Sequence, residues 1–317
     1  NNRADVLLAL QRPDEALASA DRALELKPGF ADALNSRGNA LRALKRYDEA
    51  ALAFGELAGS GPRFDHALGD IVECELRACD WTHFAEHPVQ ATAAVAEGRR
   101  AALPWMFLGI SGSGSSQLVC TRTFVSERYP ASTAPLWRGE RYRHDRIRIA
   151  YLSADFHEHA TAHLMAGLFE AHDPSRFETT AFSFGPETND PMRARLRNAF
   201  PRFIDVREKS DRDIARMLRE LEIDIAVDLK GFTAGSRTGI LAFRPAPLQV
   251  SHLVYPGTMG APYIDYIIAD RFVIPFGRES QFTEKVVRLP DSYQVNDAKR
   301  PIAGTNPTRA QAGLPDA

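Results

Sequence analysis

Apolar and small residues in the first seventy positions return in step. Asp14-Glu15-Ala16 recurs as Asp48-Glu49-Ala50, and the same shift of 34 carries Leu7 to Leu41, Leu10 to Leu44, Pro28 to Pro62 and Phe30 to Phe64. A period of that length predicts a pair of helices per unit. Ala16, Ala20 and Ala50 would let helix backbones approach, and Pro28 and Pro62, which lack an N–H donor, would end the second helix of each unit. Stacked units of this kind need about three copies to bury a continuous core, so further copies are expected upstream of Asn1. Ala67-Leu68 still match Ala33-Leu34, which predicts one last helix over 67–77, ending before Cys79-Asp80-Trp81.

The pattern then loosens. One helix is expected over Ala91 to Ala101, with Pro104, Pro130 and Pro135 interrupting its surroundings. The run Gly109-Ile110-Ser111-Gly112-Ser113-Gly114-Ser115-Ser116 resembles a phosphate loop only superficially, because Ser115 stands where such a loop needs lysine; a flexible connection is expected instead.

From Arg146 onward, short apolar runs alternate with helical segments. Strands are predicted at 146–152, 177–184, 203–206, 223–229, 248–254, 266–269 and 286–289. Helices are predicted at 161–171, 190–200 and 210–222, the last capped by Ser210. The nearly continuous apolar character of Ile223 to Leu229 fits a parallel strand covered on both faces. The chain therefore reads as α plus α/β: helical repeats over 1–77, a junction over 78–145 and a Rossmann-like lobe over 146–317. In such a lobe ligands bind beyond the carboxyl ends of the strands.

Charge adds little. With 39 Lys plus Arg against 41 Asp plus Glu, bulk electrostatics draws the chain neither to nucleic acid nor to anionic lipid. No apolar stretch reaches the ~20 residues of a membrane span. Cys74, Cys79 and Cys120 form neither an even disulfide set nor a CxxC pair, so a cytoplasmic location is expected.

The chemistry-bearing residues cluster after three predicted strands. Ser153 to His163 holds His157, His159 and His163 with Asp155 and Glu158. A zinc site is one reading, but Thr161 occupies the place of the second histidine of HExxH. A single strand-end histidine, His159, acting as hydrogen-bond partner or acid/base fits better, with Asp155 as a helix cap and His163 packed beneath the sheet as the plainer alternative. Lys230-Gly231-Phe232-Thr233 and Tyr255-Pro256-Gly257-Thr258 follow two further strands and offer backbone amides and hydroxyls of the kind that read sugars.

Taken together, the repeats resemble tetratricopeptide units. With Asp155 to Met165, Asp228 to Thr233, Arg244-Pro245-Ala246-Pro247-Leu248-Gln249, Tyr255 to Thr258 and Asp265 to Asp270, the chain resembles glycosyltransferase family 41, the O-GlcNAc transferases, and its bacterial SPINDLY-type members in particular. The resemblance implies the N-terminal half of a GT-B enzyme, inverting and requiring no metal or other cofactor. Such an enzyme moves a sugar, GlcNAc foremost, from UDP-GlcNAc to Ser or Thr of an acceptor protein held in the repeat groove. It implies His159 as the catalytic histidine beside donor sugar and acceptor hydroxyl, and Thr233, Leu253, Pro256 and Gly257 as the lining of the sugar site. The chain departs from animal members at His157 and Lys230. A second lobe holding the nucleotide is expected beyond residue 317, and 1–317 alone is expected not to catalyse. The competing class is a non-catalytic repeat scaffold carrying a degenerate α/β lobe.

Overall fold

The computed structural model describes residues 2–59, 66–300 and 304–315. Its first five helices are α1 (Asn2–Ala9), α2 (Pro13–Leu26), α3 (Ala31–Ala43), α4 (Tyr47–Gly59) and α5 (Ala67–Ala78). The period is visible in the backbone itself. Gln11, Lys45 and Cys79, each 34 residues from the next, all adopt left-handed φ of 59°, 61° and 55°. Each sits in the same helix-ending turn, where the following amide reaches back to the last helical turn: Arg12 to Leu7, Arg46 to Leu41 and Asp80 to Glu75, all at 2.9 Å. The repeat geometry thus continues through Asp80. Ala16, Ala20, Ala50 and Phe54 are wholly buried, and Gly38 lets α3 lie on the Phe54 ring, where a Cβ would come within 2.6 Å. Pro28 follows the end of α2 as expected; its counterpart Pro62, like Phe64, lies outside the described residues.

Residues 78–145 are more ordered than their sequence pattern indicates. They hold α6 (His87–Ala96), α7 (Pro104–Ile110) and α8 (Gly114–Arg128). The helix expected at 91–101 begins and ends earlier, because Pro88 supplies an N-terminal start and Gly98, at φ +80°, closes it. The glycine-serine run is a helix junction and not a flexible connection. Gly109 lies in α7, and Ser113 caps α8 by accepting the Ser116 amide at 3.2 Å.

The remaining strands and α-helices are β1 (Ile147–Ser153), α9 (Ala160–Glu170), β2 (Phe177–Ser183), α10 (Pro191–Ala199), β3 (Arg202–Asp205), α11 (Asp211–Glu220), β4 (Ile225–Asp228), α12 (Gly239–Ala242), β5 (Leu248–His252), β6 (Tyr266–Ala269) and β7 (Lys285–Arg288). All strands run parallel in the order β3-β2-β1-β4-β5-β6-β7. Alternation along β1 serves both faces. Ile149 and Tyr151 pack with Met165 and Phe169 of α9 and Leu196 of α10, whereas Ala150 and Leu152 pack with Ile214 and Leu218 of α11 and Val125 of α8. α8 therefore belongs to the cover of the sheet. Gly260, at φ +60°, lies so close to it that a Cβ would come within 2.7 Å of the Arg122 amide nitrogen. The strand order reverses between β1 and β4, the place where an open α/β sheet leaves a crevice.

Candidate functional site

The loops that leave β1, β4 and β5 are neighbours at the carboxyl edge because those strands are neighbours in the sheet. After β1 the chain is anchored by Phe156, buried against Phe169, Phe200 and Phe203. The buried Arg193 of α10 donates to the Phe156 carbonyl at 3.1 Å and to Ser183 at 3.3 Å, bracing the loop from below. His159 then becomes the N-cap of α9. Its backbone is extended and its Nδ1 accepts the Thr161 amide at 3.2 Å. With Nδ1 an acceptor, the neutral imidazole carries its proton on Nε2, on a side chain 41% exposed.

Asp155 is not the cap. It is buried, and both of its oxygens accept from the Lys230 ammonium at 2.9 and 2.8 Å; Oδ2 also accepts the Thr161 hydroxyl at 3.3 Å. The same Oδ2 lies 3.6 Å from His159 Nδ1. His163 does not pack beneath the sheet either: it is 40% exposed, and its Nε2 meets Glu158. Being tied to that carboxylate, it does not converge with His157 and His159, and among the described residues no group of three or more His, Cys, Asp or Glu side chains is arranged to hold a metal ion.

The β4 loop is built on Asp228, whose carboxylate accepts the amides of Lys230 at 2.8 Å and Gly231 at 3.2 Å. Burial pushes this carboxyl up to about 6, while those two amides and the Lys230 charge pull the other way. Gly231 sits at φ +52°, where an added Cβ would come within 2.7 Å of Tyr255 Cγ, so the β4 and β5 loops meet without room for a side chain. Thr233 is half-buried, its hydroxyl donating to the Lys230 carbonyl at 2.8 Å. A continuous path of contacts thus runs from His159 through Asp155 and Lys230 to Thr233.

The β5 loop is placed differently. Leu253 takes a left-handed φ of 73° and buries its side chain in the core on the α9 side of the sheet, so its backbone is what it can offer outward. Gly257 is buried under Leu108, whose Cδ2 would lie 2.8 Å from an added Cβ. Pro256 is exposed. It lines two clefts of about 400 and 420 Å³, one bordered by α8 and the 273–282 segment, the other by Glu73 and Arg77 of α5 and by Trp105 and Met106 of α7. His159 and Thr233 line neither. Contacts join His159 to Thr233 through Asp155 and Lys230, and join the Thr233 loop to the Pro256 loop through Tyr255.

Sequence reasoning missed the Asp155–Lys230 pair, Arg193 and Glu284. The last is buried and accepts the Thr258 hydroxyl at 2.8 Å and the Met259 amide at 2.5 Å, fixing the end of the β5 loop.

Comparison with known proteins agrees with this architecture. Residues 132–305 match the model of Glycosyl transferase family 41, and residues 1–63 match a tetratricopeptide repeat. The chain is 38% identical over 176 residues to the Arabidopsis thaliana protein named Probable UDP-N-acetylglucosamine–peptide N-acetylglucosaminyltransferase SEC, covering 54% of this chain and 18% of that one. It is 36% identical over 153 residues to the Caenorhabditis elegans UDP-N-acetylglucosamine–peptide N-acetylglucosaminyltransferase, covering 48% and 13%. The chain thus spans less than a fifth of the length of these relatives. A solved structure of a mutant Thermobaculum terrenum O-GlcNAc transferase superposes with a TM-score of 0.65 at 22% identity, over 92% of this chain and 56% of that one, and so shares its fold. With the family match extending over more than half of its residues, the chain belongs to glycosyl transferase family 41.

Proposed function

We propose that this chain carries the repeat region and the first catalytic lobe of an inverting protein O-glycosyltransferase, which moves GlcNAc from UDP-GlcNAc to Ser or Thr of an acceptor protein. One observation carries the reading. A half-exposed histidine stands at the switch point of a parallel sheet and is coupled through a buried ion pair to the hydroxyl-bearing loop of the next strand. His159 would present Nε2 to the oxygens exchanged at the anomeric carbon. Thr233, the Leu253 backbone, Pro256 and Gly257 would bound the sugar. The acceptor would be held in the repeat groove and reach the site past Pro256, which α5 and α7 flank. The donor is a substrate, and neither a metal nor another cofactor has a part in this scheme.

Among the described residues no helix is long and apolar enough to cross a membrane, and the three cysteines are unpaired, which supports action in the cytoplasm. The test is transfer of label from UDP-GlcNAc to a Ser/Thr peptide by the product of the whole reading frame that encodes these residues, with and without a chelator. Transfer insensitive to the chelator is expected. No transfer, or transfer abolished by metal removal, contradicts the reading.

A further inference from the structure

Asp155 lies four residues before His159 in the loop that leaves β1, and its Oδ2 lies 3.6 Å from Nδ1. A buried carboxylate in that position ordinarily draws a proton onto the facing ring nitrogen, which turns the far nitrogen into an acceptor. Here the geometry is otherwise. Lys230 takes both carboxylate oxygens, with only 5% of its own side chain and 7% of that of Asp155 exposed, and the Thr161 hydroxyl takes a further share. Nδ1 is left to accept the Thr161 amide. The other charged or titratable groups around the ring do not compete for Nδ1. The His157 ring lies edge-on with centroids 5.7 Å apart, Glu158 is engaged by His163, and Asp190, on the loop entering α10, accepts the Thr188 hydroxyl and the Arg193 amide.

We propose that Lys230 is a positioning residue that fixes the tautomer of His159: by engaging both oxygens of Asp155 it keeps the proton on Nε2, so that the histidine meets its substrate as a hydrogen-bond donor. This rests on the reading of His159 as substrate-facing. It also gives Lys230, a departure from the animal members that the family resemblance left unexplained, a chemical task. A base at Nε2 requires the proton on Nδ1, and that arrangement requires Asp155 to be free.

Nitrogen-15 NMR of the histidine side chains at mildly alkaline pH reads the tautomer directly and needs no substrate, with His159 assigned by its loss in His159→Gln. The unaltered chain should show an unprotonated Nδ1 and a protonated Nε2; a protonated Nδ1 overturns the proposal. In Lys230→Met the Nδ1 resonance should move to the protonated class, as the other neutral tautomer or as imidazolium. Lys230→Arg should restore the original state, and so should the pair Lys230→Met with Asp155→Asn. An unchanged Nδ1 in a folded Lys230→Met overturns the proposal. Where that variant gives no dispersed spectrum, Lys230→Gln is read in the same way. Because these signals are independent of turnover, a His159→Ala variant of undiminished transfer activity would sink the functional reading while leaving the tautomer result standing.

Discussion

Replacing Gly231 with alanine tests how tightly the candidate site is assembled. At φ +52° an alanine pays the left-handed penalty, about 1–2 kcal/mol. Its Cβ is fixed to the backbone and would lie 2.7 Å from Tyr255 Cγ, and nearer still to Tyr255 Cβ, against an ordinary carbon contact of about 3.5–4.0 Å. Tyr255 Cβ cannot rotate away, and the ring beyond it is 2% exposed, so the β4 and β5 loops must move apart. Overpacking of this kind costs about 1–3 kcal/mol. The total is about 2–5 kcal/mol, which at a urea slope of about 2–3 kcal/mol per molar, the upper part of the usual range as suits a chain this long, lowers the unfolding midpoint by roughly 1–2 M. Gly55 in α4 is the control. It has an ordinary helical φ and nothing within 4 Å of an added Cβ, so Gly55→Ala should stabilise by up to about 1 kcal/mol. Urea unfolding followed by circular dichroism measures both. A Gly231→Ala midpoint unchanged within error would refute the claim that the two loops meet at van der Waals distance.

Removing either member of the Asp155–Lys230 pair alone should cost about 3–5 kcal/mol, because the survivor is left as an uncompensated buried charge. Lys230→Met combined with Asp155→Leu should recover most of that loss in a double-mutant cycle, and additive losses would contradict the pairing. Stability should also carry a pH signature of Asp228. Its folded carboxyl, near 6, binds a proton more readily than the unfolded one near 3.8, so its contribution falls as pH rises between those values. Unfolding titrations should therefore show the stability of the unaltered chain, relative to Asp228→Asn, declining by on the order of 3 kcal/mol across that window. A flat or rising difference refutes the assignment.

How much of this was legible in the sequence depended on whether the signal was local. The repeat could be read because Asp14-Glu15-Ala16 and its copy bury the same alanines. The strands could be read because a sheet covered on both faces leaves runs such as Ile223 to Leu229 nearly continuous in apolar residues. Ser210 performs the capping expected of it, its hydroxyl accepting the Asp213 amide at 3.1 Å. α8 gave no such signal, since the face it buries includes Ser116 and Thr121 and no apolar stripe results. The misplaced helix near residue 91 followed from passing over Gly98 as a stop. Packing beneath the sheet is the plainer expectation for His163, but Glu158 holds it at the surface. Asp155–Lys230 and Arg193–Phe156 join residues from different strand-end loops or helices, and the sequence shows such pairs only once the strand order is known.

His159 is proposed to meet the substrates, and His163 is not. The decisive measurement is kcat/KM for GlcNAc transfer, with UDP affinity alongside, in His159→Ala and His163→Ala variants of the whole encoded protein. A hydrogen bond to charge developing at the reacting oxygens is worth about 1.5–3 kcal/mol, so His159→Ala should lower kcat/KM by roughly 10- to 150-fold with UDP affinity unchanged. His163→Ala, which loses one exposed pairing with Glu158, should stay within about twofold of the unaltered enzyme. Equal losses at the two histidines, or weakened UDP binding in His159→Ala, would contradict the account.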